Sequence, residues 1–219
     1  MIDRTRARQL AAEYNQKGEP TAWFEQLYQE AEEGKSVVPW ADLVPNPHLL
    51  NFWKDYPQEA LGKPALIVGC GLGDDAEQLA YWGYRATAFD IAPTAVSQAR
   101  KRFPESPVDY VVGDLLAPPG SWFEKFDFVF ECYTLQALPV SLRRAAIGNL
   151  AKFLRPGGRL LVIARGREES EAEGEMPWPV TKNELQQFAK HELEQTVFED
   201  VADYAEPGVR RFIALYQRR

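Results

Sequence analysis

The sequence predicts an α/β fold in three layers, in which a mostly parallel β-sheet lies between two layers of helices. Hydrophobic residues make up 45% of the 219 residues and charged residues 26%, a balance typical of globular proteins. From residue 64 onwards, short apolar runs alternate with amphipathic runs, which is the pattern of β-α-β units. The apolar runs have few polar interruptions, as expected for parallel strands that are buried on both faces.

The N-terminal region differs from this pattern because it is rich in aromatic residues. Its apolar side chains recur at helical spacing before Gly34, a residue type that often ends helices. These side chains are Trp23, Phe24, Leu27, Tyr28 and Ala31. Three prolines then interrupt residues 37–53, which predicts a loop that leads into a short helix. We expect residues 1–60 to form a helical, aromatic lid segment on one domain of residues 61–219.

Each later element follows from its local pattern. The strand ALIVG is a continuous apolar run, and the helix DDAEQLAYWG after it begins with Asp and ends at Gly83. The strand RATAFDI, the helix APTAVSQARKRF and the strands VDYVVGD and KFDFVFECY come next. The helix PVSLRRAAIGNLAKFLRPGG is expected to stop at Pro156, Gly157 and Gly158, before the strand RLLVIAR.

The tail of the chain has a different organisation. The acidic, Pro-containing stretch GREESEAEGEMPWPV predicts a loop, and TKNELQQFAKHEL predicts a helix with a capping box of Thr181 and Glu184. Two strands follow, EQTVFEDVADY and GVRRFIALYQRR, joined by a turn at Pro207 and Gly208. So short a link favours antiparallel pairing of these two strands.

Composition excludes several function classes. The net charge of −7 and the pI of about 5.1 argue against nucleic acid as a partner, since binding phosphates requires clustered Lys and Arg. Cys70, Cys132, His48 and His191 lack the spacing of metal ligands, so no metal site is expected. No apolar run is long enough to span a bilayer, and the N-terminus lacks a signal-peptide core. We therefore expect a cytoplasmic protein without a membrane partner.

A glycine-rich turn, Gly69–Gly73, follows the first strand. In a parallel sheet, ligands bind beyond the carboxyl ends of the strands, where this turn lies. A dinucleotide motif G-x-G-x-x-G would require glycine at position 74, but the residue is Asp74, which would repel a pyrophosphate. The turn therefore favours a positively charged ligand such as S-adenosylmethionine over NAD. Asp75 either adds to this negative charge or serves only as the N-cap of its helix.

Acidic residues also follow the next strands. Asp90 ends the second strand, 21 residues after Gly69, where a carboxylate can accept hydrogen bonds from both hydroxyls of a ribose. Asp114 follows the third strand and is placed to meet an adenine amino group, with Leu115 against the ring. Glu131 ends the fourth strand. Three acidic strand ends beside one glycine turn indicate a single ligand site.

As a set, these segments resemble class I S-adenosylmethionine-dependent methyltransferases. The resemblance covers about residues 64–165 and is carried by VGCGLGD, FDIAPTAVSQAR, VVGDLL, FDFVFECYTLQAL and LRPGGRLLVIAR. It implies a Rossmann-like sheet of seven strands, the last antiparallel and inserted between two others, and S-adenosylhomocysteine as the product of the cofactor. The expected cofactor-binding residues are Gly69, Cys70, Gly71, Asp90, Ile91, Asp114, Leu115 and Glu131.

A narrower resemblance links the chain to the thiopurine, thiol and halide methyltransferases. It rests on TAWFEQLYQ and VPWADLVPNPHLLNFW near the N-terminus and on PWPVTKNELQQF. It implies that Trp23 and Trp40 cover the cofactor and that the segment containing Trp178 borders the substrate. The chain departs from the thiopurine enzymes after the fourth strand, where Glu131, Cys132 and Tyr133 replace their Asp-Arg pair.

The expected activity is therefore methyl transfer to a small molecule, with a thiol, a halide or another soft nucleophile as acceptor. A small-molecule O- or N-acceptor is the alternative, and it would require a base. Glu131 and Tyr133 are the candidate catalytic residues; Tyr133, Arg165 and Trp178 are the candidate substrate contacts. Arg165 could instead pair with the acidic run Glu168–Glu171. An NAD-dependent oxidoreductase and a non-catalytic nucleotide-binding protein remain open, and a monomer is favoured.

Overall fold

A seven-stranded β-sheet forms the middle layer of the computed structural model, which describes residues 3–219. The strand order is β3-β2-β1-β4-β5-β7-β6, and β7 is antiparallel to both of its neighbours. The strands are β1 (Pro64–Val68), β2 (Arg85–Asp90), β3 (Asp109–Val112), β4 (Phe126–Cys132), β5 (Leu154–Gly166), β6 (Leu193–Ala202) and β7 (Arg210–Arg218). This arrangement confirms the predicted α/β fold, including the inserted antiparallel last strand.

Helices cover both faces of the sheet. They are α1 (Thr5–Gln16), α2 (Trp23–Glu32), α3 (Pro47–Asp55), α4 (Asp74–Tyr81), α5 (Pro93–Arg102), α6 (Val140–Phe153) and α7 (Lys182–Gln186). One apolar core joins α3, α4 and α5 to the sheet, and a second joins α6 and α7 to the opposite face. No helix within residues 3–219 has both the length and the apolar character needed to cross a membrane.

The register of the strands aligns their carboxyl ends. Val68 of β1 lies opposite Phe89 of β2 on one side and Glu131 of β4 on the other. Because β7 is antiparallel to both β5 and β6, the turn between β6 and β7 lies at this same edge. The edge therefore collects the glycine turn, the strand-end carboxylates and the β6–β7 turn.

The N-terminal helices are anchored to the domain at two places. Apolar side chains of α1 and α2, together with Met176, form a small separate core. Helix α2 docks on α5, where the Glu25 carboxylate accepts hydrogen bonds from the backbone N–H and the hydroxyl of Thr94, at 3.0 and 2.7 Å. This contact gives the first turn of α5 a partner for its free N–H groups.

Two predicted helix boundaries were wrong. Helix α6 ends at Phe153, before the Pro-Gly-Gly sequence, because Leu154 is already extended and pairs with Phe126. The helix after Thr181 has the predicted capping box, but α7 ends at Gln186. A 3₁₀ turn then continues to His191, and Glu192 closes it with a φ of 63°, so the predicted single helix is split.

Candidate active site

A cleft opens along the carboxyl edge of the sheet, and its two ends differ in charge. We call the end that contains Asp90 and Asp114, beyond β2 and β3, the acidic end. We call the end that contains Arg4, Arg165 and Arg211, beyond β5 and β7, the arginine end. Residues of both ends line one continuous cleft.

Asp90 organises the glycine turn at the acidic end. Its carboxylate is 6% exposed and accepts the backbone N–H of Gly71 at one oxygen and that of Ala92 at the other, both at 2.9 Å. Burial raises the pKa of Asp90, and these hydrogen bonds oppose the rise. Gly69 has a φ of 62°, and a Cβ there would lie 2.3 Å from Thr134 Oγ1. Glycine is therefore required at this turn.

Neither of the two aspartates after the glycine turn presents an unpaired negative charge to the cleft. Arg102 pairs with Asp74 through two hydrogen bonds of 2.8 Å, so the structure removes the repulsion that was used against a phosphate ligand. Asp75 is not the N-cap, because Gly73 holds that position. Asp75 instead accepts the backbone N–H of Asn46 at 2.7 Å, and its burial raises its pKa to about 7.

The walls of the acidic end come from loops and aromatic residues. Ile91, Asp114 and Leu115 line the cleft, as do Phe24, Tyr28 and Trp40. The indole N–H of Trp40 donates to the Tyr28 hydroxyl oxygen at 2.9 Å, which fixes both rings. Trp23 does not line the cleft: it is fully buried and stacks on Phe24, with 3.9 Å between ring centroids. Trp23 thus supports the site from behind, through its contacts with Phe24 and Trp40.

Glu131 lies beneath the cleft and does not line it. Its Oε1 accepts the backbone N–H groups of Thr134 and Leu135, at 2.7 and 2.9 Å, and the side chain is fully buried. Burial raises the pKa of Glu131 to about 7, although these two hydrogen bonds lower it. The carboxylate holds the turn after β4 in place, so its geometry fits neither predicted role, contact with the cofactor or catalysis.

Tyr133 lies in the middle of the cleft. Its φ of 66° is a left-handed conformation that is strained for a non-glycine residue. The guanidinium of Arg211 lies over its ring, 4.4 Å from the centroid. Burial raises the pKa of the Tyr133 hydroxyl, so it stays protonated near neutral pH. Tyr133 can donate a hydrogen bond or shape the cleft, but it is unsuited to remove a proton.

Charged side chains from four parts of the chain meet at the arginine end. Glu206 pairs with Arg4 and Arg165, and Asp203 pairs with Arg211. Burial alone would raise the pKa of Asp203, but hydrogen bonds from Arg211 and two backbone N–H groups bring it to about 2. The predicted pairing of Arg165 with the acidic run Glu168–Glu171 was wrong. Arg165 pairs with Glu206 instead.

His48 is a cleft residue that the sequence did not reveal. It is 2% exposed, and its Nε2 lies 3.5 Å from Asp203 Oδ2. Tyr204 packs against the imidazole at 4.6 Å between centroids, and Nδ1 has no hydrogen-bond partner among residues 3–219. Burial lowers the pKa of His48 and Asp203 opposes the shift, which leaves the ring neutral near pH 7. With the proton on Nε2, Nδ1 carries a free lone pair.

Three further predicted residues lie off the main cleft. Cys70 and Gly71 line a smaller adjoining cleft, which also includes Cys132. Trp178 does not line the main cleft, and its backbone N–H donates to the Gln136 carbonyl at 2.7 Å. Its ring packs with the small core of α1 and α2. The wall that was predicted for Trp178 is formed by Met176 and Pro177.

One topological signal could have revealed the missed residues. The sequence predicts a final hairpin, and insertion of β7 beside β5 brings the β6–β7 turn to the ligand edge. Asp203 and Glu206 occupy this turn, and Arg211 follows it. Only the docking of α1 and α3, which the sequence pattern does not define, adds Arg4 and His48.

Comparisons with known proteins agree with this geometry. A family model described as a methyltransferase domain matches residues 65–158. Nodulation protein S of Rhizobium tropici is 35% identical over 99 residues, which cover 44% of this chain and 41% of that protein. Thiopurine S-methyltransferase of Vibrio atlanticus is 24% identical over 183 residues, covering 76% of this chain and 82% of the relative. The chain matches about half the length of the first curated relatives.

A solved structure has a similar fold over most of the chain. The N-methyltransferase NodS from Bradyrhizobium japonicum WM9, in complex with S-adenosylhomocysteine, superposes with a TM-score of 0.69 at 21% identity. The match covers 89% of this chain and 98% of that chain. At this level of identity the likeness is one of fold.

Proposed function

We propose that this chain, whose residues 65–158 match a methyltransferase domain, is a class I S-adenosylmethionine-dependent methyltransferase that transfers the methyl group of that cofactor to a small molecule. The observation that carries the proposal is the meeting, in one cleft, of the glycine turn after β1 with the carboxylates Asp90 and Asp114. The residues present fit the cofactor. Each oxygen of Asp90 accepts one backbone N–H and keeps a lone pair, so both can still accept ribose hydroxyls.

The charge of the acidic end also fits. When bound, the cofactor supplies a methyl group on a positively charged sulfur, an electrophile that needs no further activation. Asp42, Asp90 and Asp114 line the cleft without a guanidinium partner, so a cation is stabilised there. Phe24 and Trp40 exclude water from the same region and hold reactants in line, which is the main contribution that a protein makes to such a displacement.

The acceptor that we favour is a thiol, a halide or another soft nucleophile. Aromatic side chains from both ends of the cleft, Phe24, Trp40, Tyr133 and Tyr204, suit a compact apolar molecule. A thiol has a pKa near 8.5 and is partly ionised near neutral pH, so no base is required. The similarity to thiopurine S-methyltransferase supports this class.

A hydroxyl or amine acceptor is the second candidate, and the geometry of His48 favours it. Asp203 orients the imidazole, and the free Nδ1 can accept a proton from a nucleophile in the cleft. Arg211 pairs with the Asp203 carboxylate and fixes its position. The buried His48–Asp203 pair could therefore act as the general base that an oxygen or nitrogen nucleophile requires.

A calorimetric titration tests the primary proposal. S-adenosylmethionine and S-adenosylhomocysteine should bind and NADH should not, and a panel of thiols, halides, phenols and amines should contain at least one methylated acceptor. Binding of NADH alone would indicate an oxidoreductase. Tight binding of S-adenosylmethionine without transfer to any acceptor would indicate a non-catalytic binding protein.

Substitution of His48 decides between the two acceptor classes. For a thiol, His48→Asn should lower kcat by less than about 10-fold; for a hydroxyl or amine, the loss should be about 100-fold or more, the usual effect of removing a general base. His191→Asn is the matched control, because His191 ends a 3₁₀ turn away from the cleft. A large loss with a thiol acceptor, with cofactor affinity intact, would contradict the favoured class.

A further inference from the structure

The arginine end holds one more cation than anion among the charged side chains described by the structure at that end. Three guanidinium groups, those of Arg4, Arg165 and Arg211, face two carboxylates, those of Asp203 and Glu206. His48, the remaining titratable group there, is neutral near pH 7 because its burial lowers its pKa. A buried excess of positive charge is costly unless an anion balances it.

Two of these guanidinium groups also have one nitrogen each without a hydrogen-bond partner within residues 3–219. Arg165 Nε and Arg211 Nη1 are buried and donate to no atom in the described part of the chain. The side chain of Arg211 is 5% exposed and that of Arg165 is 14% exposed, so water reaches neither freely. Burial lowers the pKa of Arg165; Glu206 opposes this, and Arg4 and Arg211 lower it further. The arginine end therefore lacks a negatively charged hydrogen-bond acceptor.

Building on the proposed function, we propose that the arginine end binds a carboxylate of the methyl acceptor. Planar guanidinium groups recognise carboxylates through paired hydrogen bonds, and Arg165 and Arg211 both line the cleft. Phe24, Tyr133 and Tyr204 provide an apolar wall for the rest of the molecule. The acceptor is therefore a small aromatic or apolar acid, with its nucleophile on the side that faces the acidic end.

The carboxylate of the cofactor itself is a poor candidate for this subsite. The glycine turn follows β1, whereas Arg165 and Arg211 lie on β5 and β7. β4 separates β1 from β5, so Arg165 is two strand spacings from the glycine turn, about 10 Å, and Arg211 is three, about 14 Å. The cofactor and the acceptor therefore approach from opposite ends, with Tyr133 between them.

Matched acceptors measure the subsite directly. Binding of 3-hydroxybenzoate, 4-mercaptobenzoate and their uncharged amides is measured by calorimetry on protein saturated with S-adenosylhomocysteine, and methylation is measured in parallel. The acids should bind more tightly than the amides by about 10-fold or more, as expected for a charge-assisted hydrogen bond in a buried site. Equal binding of acid and amide would overturn the proposal.

Substitutions then assign the effect to a residue. In Arg165→Gln the preference for the acid should fall below about 3-fold, while Arg165→Lys should keep part of it, since the positive charge remains. Arg167→Gln is the matched control, because Arg167 does not line the cleft and donates to the carbonyls of Glu168 and Glu171. A preference that survives Arg165→Gln in folded protein would contradict the assignment.

Cofactor binding separates the possible failures. If the cluster holds the carboxylate of the cofactor, Arg165→Gln should weaken S-adenosylhomocysteine but not 5′-methylthioadenosine, which lacks that carboxylate, and the proposal is wrong. If S-adenosylhomocysteine does not bind the wild-type protein, the proposed function fails. In that case the binding of acid and amide is measured on the free protein, and a preference for the acid would still support the carboxylate subsite.

Discussion

The two ends of the cleft are built in different ways. At the acidic end, the glycine turn, Asp90, Asp114 and Leu115 lie close together in the chain and follow three strands directly, while the aromatic walls come from the N-terminal segment. The arginine end combines Arg4 and His48 with side chains from β5, β7 and the turn before β7. One end depends on the local path of the backbone, whereas the other depends on distant segments meeting. The first arrangement suits a shared cofactor, and the second suits a specific acceptor.

The sharpest test of this difference is Asp90→Ala. Loss of Asp90 removes one hydrogen bond to the glycine turn, one to the turn after β2 and the acceptor for the ribose, so affinity for S-adenosylhomocysteine should fall by about 3 kcal/mol, roughly 100-fold. Calorimetry measures this loss. Asp109→Ala, an exposed position at the start of β3, is the control and should bind normally. Unchanged affinity in Asp90→Ala would remove the acidic end from the cofactor site.

Glu131, on the strand between the two ends, should affect stability more than catalysis. The folded-state pKa of Glu131 is about 7, above its ordinary 4.5, so it contributes stability in acid that is lost as the pH rises from about 4.5 to 7. Glu131→Gln does not titrate and keeps the acceptor oxygen. The free energy of unfolding of the variant relative to wild type should therefore increase by about 2–3 kcal/mol between pH 5 and pH 8.

Urea unfolding of wild type and Glu131→Gln at the two pH values measures this change. The kcat of Glu131→Gln should fall by less than about 100-fold, the lower end of general-base effects. A loss beyond about 1,000-fold, with cofactor binding intact, would place Glu131 in the chemistry of the cleft after all.

The smallest effect is expected in the N-terminal segment, which contacts both ends. Tyr28 and Trp40 line the acidic end, and Arg4 reaches the arginine end. We propose that residues 1–60 act as a lid, so S-adenosylhomocysteine should slow hydrogen exchange of residues 33–45 by a few-fold. Residues 103–107, which precede β3 at the opposite edge of the sheet, should exchange at the same rate with and without ligand. If residues 33–45 exchange at the same rate with and without S-adenosylhomocysteine, the lid proposal is contradicted.

Part of this site could be predicted from sequence, and the reason lies in local geometry. The turn at Gly69 and the carboxylates of Asp90 and Asp114 were found because each directly follows an apolar strand. Glu131 satisfied the same rule but lies under the cleft, since its side chain bonds to the turn that follows it. The rule identifies the edge of the sheet and does not say which side chains face the ligand.

Aromatic residues show the same limit. Trp23 and Trp40 matched one family pattern equally well, yet only Trp40 lines the cleft, because Trp23 fills the core between α1 and α2. Asp74 was interpreted as a free charge, and its neutralisation depends on Arg102, 28 residues further along the chain. Burial and pairing decide the role of a side chain, and neither follows from its neighbours in sequence.

The sequence by itself determined the order of strands and helices along the chain and the glycine turn at the ligand edge, because hydrophobic periodicity and turn chemistry act over a few residues. The family resemblance implied the inserted last strand. Only the tertiary structure decided that His48 lies beside Asp203, that Arg165 pairs with Glu206, and that the arginine end has an excess positive charge. These features depend on contacts between segments as far apart as α1 and β7. Such contacts form only when the helices dock on the sheet, and no local sequence pattern predicts them.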